Sequence, residues 1–179
     1  MDLYQRKACD STIQEVPYMN ILTDLIQNPV FLSAGGAWLT AQVLKIIYET
    51  VRYGFHAERL TGGGGMPSSH SATVTGLTAG CLLSESAKSP AFAVALFLAM
   101  VVIYDAMGVR RECGEHAKIL NAMRRKDLEE GREPFFDKSL DEKMGHTLPE
   151  VIVGILIGIA VSLLMCLWAA PLIQSAFKV

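Results

Sequence analysis

The chain has 179 residues, 51% of them hydrophobic, with 16 Lys and Arg against 18 Asp and Glu for a net charge of −2. That length fits one domain, the apolar content exceeds that of an average soluble one, and the near-neutral charge with no basic block interleaved with aromatics points away from nucleic acid. Cys9, Cys81, Cys113 and Cys166 are too far apart for paired metal-ligand spacing, so neither metal nor cofactor is expected.

Residues 1–28 carry Ile13, Val16, Met19, Leu22 and Leu25 at intervals of three, which predicts an amphipathic helix, on a membrane surface or in water. The opening residues are too polar for a cleavable signal. Four apolar stretches follow within a single membrane domain, 29–175, and predict spans over 30–51, 70–86, 90–108 and 150–172. The first is interrupted by Gln42, Lys45 and Glu49, whereas the last carries no charge between Val151 and Leu172. These runs are too long for strands and do not alternate with period two. The expected fold is therefore all-α, a polytopic membrane helical bundle of about four transmembrane helices. A soluble bundle with an unusually apolar core is the alternative. The connector, 110–145, holds nine basic residues against a similar number of acids and reads as solvated helix and loop. Gly154 and Gly158 form a G-x-x-x-G pair that permits close helix contact, within the chain or in a homo-oligomer.

If the four segments cross in succession, the end of the first (Lys45 to Arg52), the start of the second (Ser69, His70), the end of the third (Asp105 to Arg111) and the start of the fourth (His146, Glu150) fall on one membrane face. The glycine run 62–65, followed by Met66-Pro67-Ser68-Ser69-His70, suits an anion, because glycines let the backbone approach and the free N–H groups of a helix start point at negative charge. Ser68 or Ser69 could equally be an ordinary helix cap. Hydrolysis of a phosphate monoester needs cations, an in-line nucleophile and an acid for the leaving oxygen. Lys45, Arg52, Arg110 and Arg111 can supply the charge, although Lys45 and Arg52, two helical turns apart on one face, could instead reach for the interface. Thr147-x-x-Glu150 also reads as a capping box, and Asp105 as an ion-pair partner of Arg110 or Arg111.

Lys45-x6-Arg52, Pro67-Ser68-Ser69-His70, a downstream arginine and His146-x3-Glu150-Val151-x-x-Gly154 resemble the three-part signature of the type 2 phosphatidic acid phosphatases and vanadium haloperoxidases. The stretches Gly64-Gly65-Met66-Pro67-Ser68-Ser69-His70, Tyr104-Asp105-Ala106-Met107-Gly108-Val109-Arg110-Arg111 and Gly145-His146-Thr147 are similar to the divergent branch of that family. The resemblance implies a metal-independent membrane phosphatase acting on a lipid phosphate or similar amphiphile. In it His146 would attack phosphorus, Glu150 orient the imidazole and His70 protonate the leaving group. Lys45, Arg52 and Arg111, or Arg110 in its place, would bind the phosphate with Ser68, Ser69 and nearby N–H groups, supported by Asp105.

Four residues depart from the pattern: Tyr53 for proline, Ser69 for glycine, Val109 or Arg110 for serine, and Glu150 for aspartate. His146 also stands 35 positions after Arg111, where the family leaves five residues between the two. Arg110 and His116 keep the five-residue gap, but Leu120 stands where the orienting acid belongs, which favours His146 as nucleophile. His56 reads as ordinary loop. The other functions weighed are an inactive membrane scaffold and a metal-dependent hydrolase built on His70, His146, Glu150 and Asp105. The basic residues of the candidate face place it in the cytoplasm by the positive-inside rule, in a bacterial-type plasma membrane.

Overall fold

A computed structural model describes residues 20–54 and 64–176. The described residues form α1 (Asn20–Gln27), α2 (Pro29–Tyr53), α3 (Ser69–Ser84), α4 (Pro90–Met107), α5 (Val109–Glu129), α6 (Leu148–Leu164), a π-helical turn (Met165–Ala169) and α7 (Ala170–Ala176). Of the amphipathic pattern expected over 1–28, only Leu22 and Leu25 fall on α1; Ile13, Val16 and Met19 lie outside the described residues. So do His56, Gly62 and Gly63.

Helix starts follow local chemistry. The Asn28 side chain accepts the N–H groups of Val30 and Phe31 at 2.9 and 3.2 Å, with Pro29 in the first turn of α2. Ser89 accepts from Ala91 at 3.1 Å, ahead of Pro90 in α4. Each cap satisfies N–H groups that have no carbonyl within the helix, and proline has no N–H to leave unpaired there.

Among the described residues, three helical stretches are long and apolar enough to cross a membrane: Pro29–Arg52, Pro90–Glu129, whose apolar part is α4, and Leu148–Ile173. The expected number was four. The segment expected over 70–86 is instead a helix of 16 residues, about 24 Å long at 1.5 Å per residue. α3 packs against α2, α4 and α6, and its buried positions are mostly small: Ser69, Ser71, Ala72, Gly76 and Gly80, with Val74 and Cys81. Sheathed by longer helices, it need not match the thickness of the hydrocarbon core by itself.

Small residues bring these helices together. A Cβ on Gly76 would stand 2.8 Å from the Ser33 carbonyl oxygen of α2, and one on Gly158 would stand 2.7 Å from the Ala72 carbonyl oxygen of α3. Gly154 meets the Ser68 carbonyl and the Ser71 side chain in the same way. At Gly154 and Gly158 the helix is thus packed against α3 of the same chain, the intramolecular of the two uses expected for the pair. Ala37, Ala41, Ala72 and Val161 form the core where α2, α3 and α6 meet.

Candidate active site

The N-terminus of α6 carries the tightest arrangement. Glu150 lies in its first turn, and one carboxylate oxygen, Oε2, accepts the Thr147 N–H at 3.0 Å while facing His146 Nδ1 at 3.1 Å. The capping-box and ring-orienting readings of Glu150 therefore coexist in one atom. Because a carboxylate can only accept, Nδ1 is the protonated nitrogen and Nε2 presents a lone pair. His146 is 3% exposed, and Nε2 is buried with no hydrogen-bond partner. Burial holds this imidazole below its ordinary pKa, as do the positive charges of Lys45 and Arg110, against the opposing pull of Glu150. The ring is neutral at neutral pH.

Other elements converge on it. His70, second residue of α3, has its ring centroid 6.3 Å from that of His146, the planes tilted by 56°. Lys45, only 6% exposed on α2, interacts electrostatically with Glu49 and Glu150. Arg110 donates from Nε to Asp105 Oδ2 at 2.6 Å, and its charge acts on both histidines. His146, Glu150, His70, Lys45, Arg110 and Asp105 thus form one group.

The remaining candidates stand differently. Ser68 is the cap of α3 and fully buried; its Oγ accepts from the Ser71 N–H at 3.3 Å and the Ser71 hydroxyl at 2.9 Å. Its own N–H donates to the Glu150 carbonyl at 3.1 Å, so the amides available to an anion at this helix start are those of Ser69 and His70, which have no carbonyl within the helix. Arg52, two turns beyond Lys45, donates to the Tyr48 hydroxyl at 2.7 Å and lies 5.9 Å from the centroid of that ring. Arg111 lines a cavity of about 790 Å³ together with His146 and Glu150, and with Tyr48, Glu49 and Lys118. His116 is exposed on α5; six positions from Arg110 on one helix, it points about 120° away from it.

The long interval between Arg111 and His146 is folded out and back. α5 runs outward, and residues 132–146 return along it. Arg124 Nε donates to the Phe136 carbonyl at 3.1 Å. Asn121 pairs with both main-chain groups of Leu140 at 2.9 Å. A Cβ on Gly114 would stand 2.9 Å from the Met144 carbonyl oxygen. Gly145, at φ +81°, lies against the backbone of Arg110 and Arg111. Finally the His146 N–H donates to the Ala106 carbonyl at 2.9 Å. The detour returns His146 to the end of α4, beside the arginines it left.

Three participants escaped the sequence reading. Glu49 is one helical turn from Lys45 and touches Gly65; its i, i+4 spacing was a usable signal. Asn121 and Gly114 have no local signature, since their partners lie 19 or more residues away. Among the described residues, no group of three or more His, Cys, Asp or Glu gathers to hold a metal ion.

The profile of the Divergent PAP2 family matches residues 26–161. A protein of Bacillus subtilis (strain 168) described as the uncharacterized membrane protein YuiD is 37% identical over 152 residues, covering 79% of this chain and 96% of that protein. No solved structure matches the chain.

Proposed function

The chain belongs to the Divergent PAP2 family, and from that premise we propose that it is a membrane phosphatase acting on a lipid phosphate, or a similar amphiphilic phosphomonoester or diphosphate, through a phosphohistidine. The observation that carries this reading is His146: a neutral imidazole held by Glu150 on Nδ1, with an unpartnered Nε2 and a second histidine ring 6.3 Å away.

In the proposed reaction Nε2 attacks phosphorus, a P–N bond forms, and the bond from phosphorus to the lipid oxygen breaks. His70 delivers the proton that this oxygen takes up. Water then attacks phosphorus, giving its proton to His70, and Nε2 leaves with the electron pair of the P–N bond. Glu150 stabilises the imidazolium character that develops at His146. Lys45, Arg110 and the amides of Ser69 and His70 stabilise the phosphoryl oxygens. Asp105 holds the Arg110 guanidinium, Arg111 adds positive charge to the cavity that His146 lines, and Arg52 and Ser68 act at the margin of the site. None of these steps requires a metal. A site at the helix ends lets a headgroup enter while its chains stay in lipid.

The test is phosphate release from phosphatidate, lysophosphatidate, phosphatidylglycerol phosphate and polyprenyl diphosphate by purified protein in excess chelator. Release from at least one supports the proposal, and inactivity across the panel favours a scaffold. Activity that disappears with chelator and returns with a divalent ion favours a metal-dependent hydrolase. We also place the site on the cytoplasmic face of a bacterial-type plasma membrane. Cys113, a free and exposed thiol on α5, reports this by its reaction with an impermeant maleimide in inverted vesicles but not in intact cells.

A further inference from the structure

The nucleophile candidate is anchored by a segment with no regular structure of its own. Residues 132–146 contain no helix, and their course follows contacts with α5, with Gly64 and, at His146, with the end of α4. Among the contacts on α5 is a buried side-chain amide, Asn121, 5% exposed. Its Nδ2 donates to the Leu140 carbonyl at 2.9 Å and to Glu142 Oε1 at 2.8 Å, while its Oδ1 accepts the Leu140 N–H at 2.9 Å. A side-chain amide that pairs with both groups of one peptide unit acts as a missing strand neighbour, and it satisfies a backbone that would otherwise have no partner away from water. From Leu140 the chain passes Glu142 and Met144 against Gly114, then Gly145 against Arg111, and reaches His146.

We infer that Asn121 is a positioning residue for the His146 imidazole, acting through the return segment: it fixes the register in which Gly145 and His146 dock on the start of α5 and the end of α4. The inference rests on the proposed reaction for its kinetic consequence alone. Charged and titratable groups face His146 from Lys45 on α2, His70 on α3, Arg110 on α5 and Glu150 on α6, while α4 meets it through the Ala106 carbonyl and carries Asp105, paired with Arg110. A register error would alter the burial of the ring among them and the approach of Nε2 to phosphorus. Misplacement by an ångström is enough to cost about a hundredfold in rate.

The experiment uses the full chain in lipid nanodiscs with isotope-labelled histidine, the His146 signal being identified by its loss in His146→Ala. In Asn121→Ala the His146 ring gains water and titrates at higher pH than in the unsubstituted protein. On whichever lipid phosphate the protein hydrolyses, kcat falls about tenfold to a hundredfold while KM stays within about twofold. Arg132→Ala, at the far turn where Arg132 pairs with Asp127 at 2.8 Å, leaves both readings unchanged. A purely structural role for Asn121 would reduce the amount of folded protein and leave the titration of the remainder where it was. An unmoved His146 titration in folded Asn121→Ala overturns the inference. Should that variant not fold, Glu142→Gln weakens one contact of the clamp and moves the titration in the same direction by less, and no movement there overturns it as well. A protein inactive on every lipid phosphate defeats the phosphatase proposal, while the titration still decides on Asn121.

Discussion

Ser68 and Glu150 are joined through their main chains: the N–H of one donates to the carbonyl of the other at 3.1 Å across 82 positions of sequence. The cap of α3 and the first turn of α6 are therefore one bonded unit, and the two helix starts that present His70 and His146 cannot drift independently. Gly154, one turn along α6, closes the same junction against the Ser68 carbonyl. A site assembled from two helix starts needs such a link, because the termini are otherwise where helices fray.

Replacement of either histidine of the pair should abolish phosphate release. His146→Ala removes the attacking nitrogen, and His70→Ala removes an acid worth about a hundred- to ten-thousandfold in rate. His116→Ala, on the exposed side of α5, retains activity. The check is initial-rate phosphate release; loss with His116→Ala and retention with His146→Ala would reverse the nucleophile assignment.

Acidic pH should switch the reaction off through His146. Burial places its folded-state pKa below the ordinary value of about 6.5, so the neutral, nucleophilic ring persists below that pH and activity is lost as pH falls through the depressed value. The stability term has the same sign: the unfolded chain binds the proton more readily, so stability present above the unfolded pKa declines as pH falls. Glu150→Gln removes a charge that raises the pKa. The acid limb of kcat/KM should then move to still lower pH as the maximum rate drops, and a limb that moves upward would contradict the assignment.

The neighbouring arginines should separate in kinetics. Arg110 pairs with Asp105 and acts on both histidines, whereas Arg111 lines the cavity that His146 and Glu150 also line, without a hydrogen bond to either histidine ring. Arg110→Ala should therefore lower kcat/KM by about a hundredfold, in the range found for loss of one donor to a developing charge, and Arg111→Ala by about tenfold or less. Equal losses would mean that both guanidinium groups reach the phosphoryl oxygens.

Glycines at the helix contacts should not accept a methyl group. At Gly158 the added carbon would stand 2.7 Å from the Ala72 carbonyl oxygen and 2.8 Å from Thr75 Cβ, backbone and branched side chain that cannot step aside. Gly158→Ala should cost about 1–3 kcal/mol, the usual penalty of overpacking. Gly35→Ala, with nothing within 4 Å of the new carbon, should be neutral or stabilising by up to about 1 kcal/mol, since alanine restricts the unfolded chain. Thermal unfolding in a single detergent compares the two, and similar melting temperatures would refute the close contact.

Much of this architecture was legible because membrane helices announce themselves by composition. The runs beginning at Pro29, Pro90 and Leu148 each follow a residue suited to capping, Asn28, Ser89 and Thr147, so both extent and start were readable. α3 was harder: its Ser, Thr, Ala and Gly content gave an uncharged run of ambiguous length, and its central place depends on close contacts that single residues do not encode. For the candidate site, the residue types and their gathering from separate helix ends could be read, and Glu150 fills both uses that its spacing allowed. The return of His146 to Arg110 was not legible. It depends on Asn121 meeting Leu140 and on Gly145 adopting φ +81°, pairings across a fold that leave no periodic trace. The cap and anion readings of Ser68 were equivalent on paper, and only the Ser71 contacts show where its hydroxyl points.

An excursion whose two legs run side by side adds contour length without changing where it begins and ends. Trimming α5 and the returning residues by matched amounts would bring a shorter hairpin back to the same endpoint, while cutting one leg alone would leave the other without its mates and swing the imidazole off target. Separation in sequence between an arginine and a histidine is thus decoupled from their separation in space, and the long spacing in this chain is a measure of hairpin height.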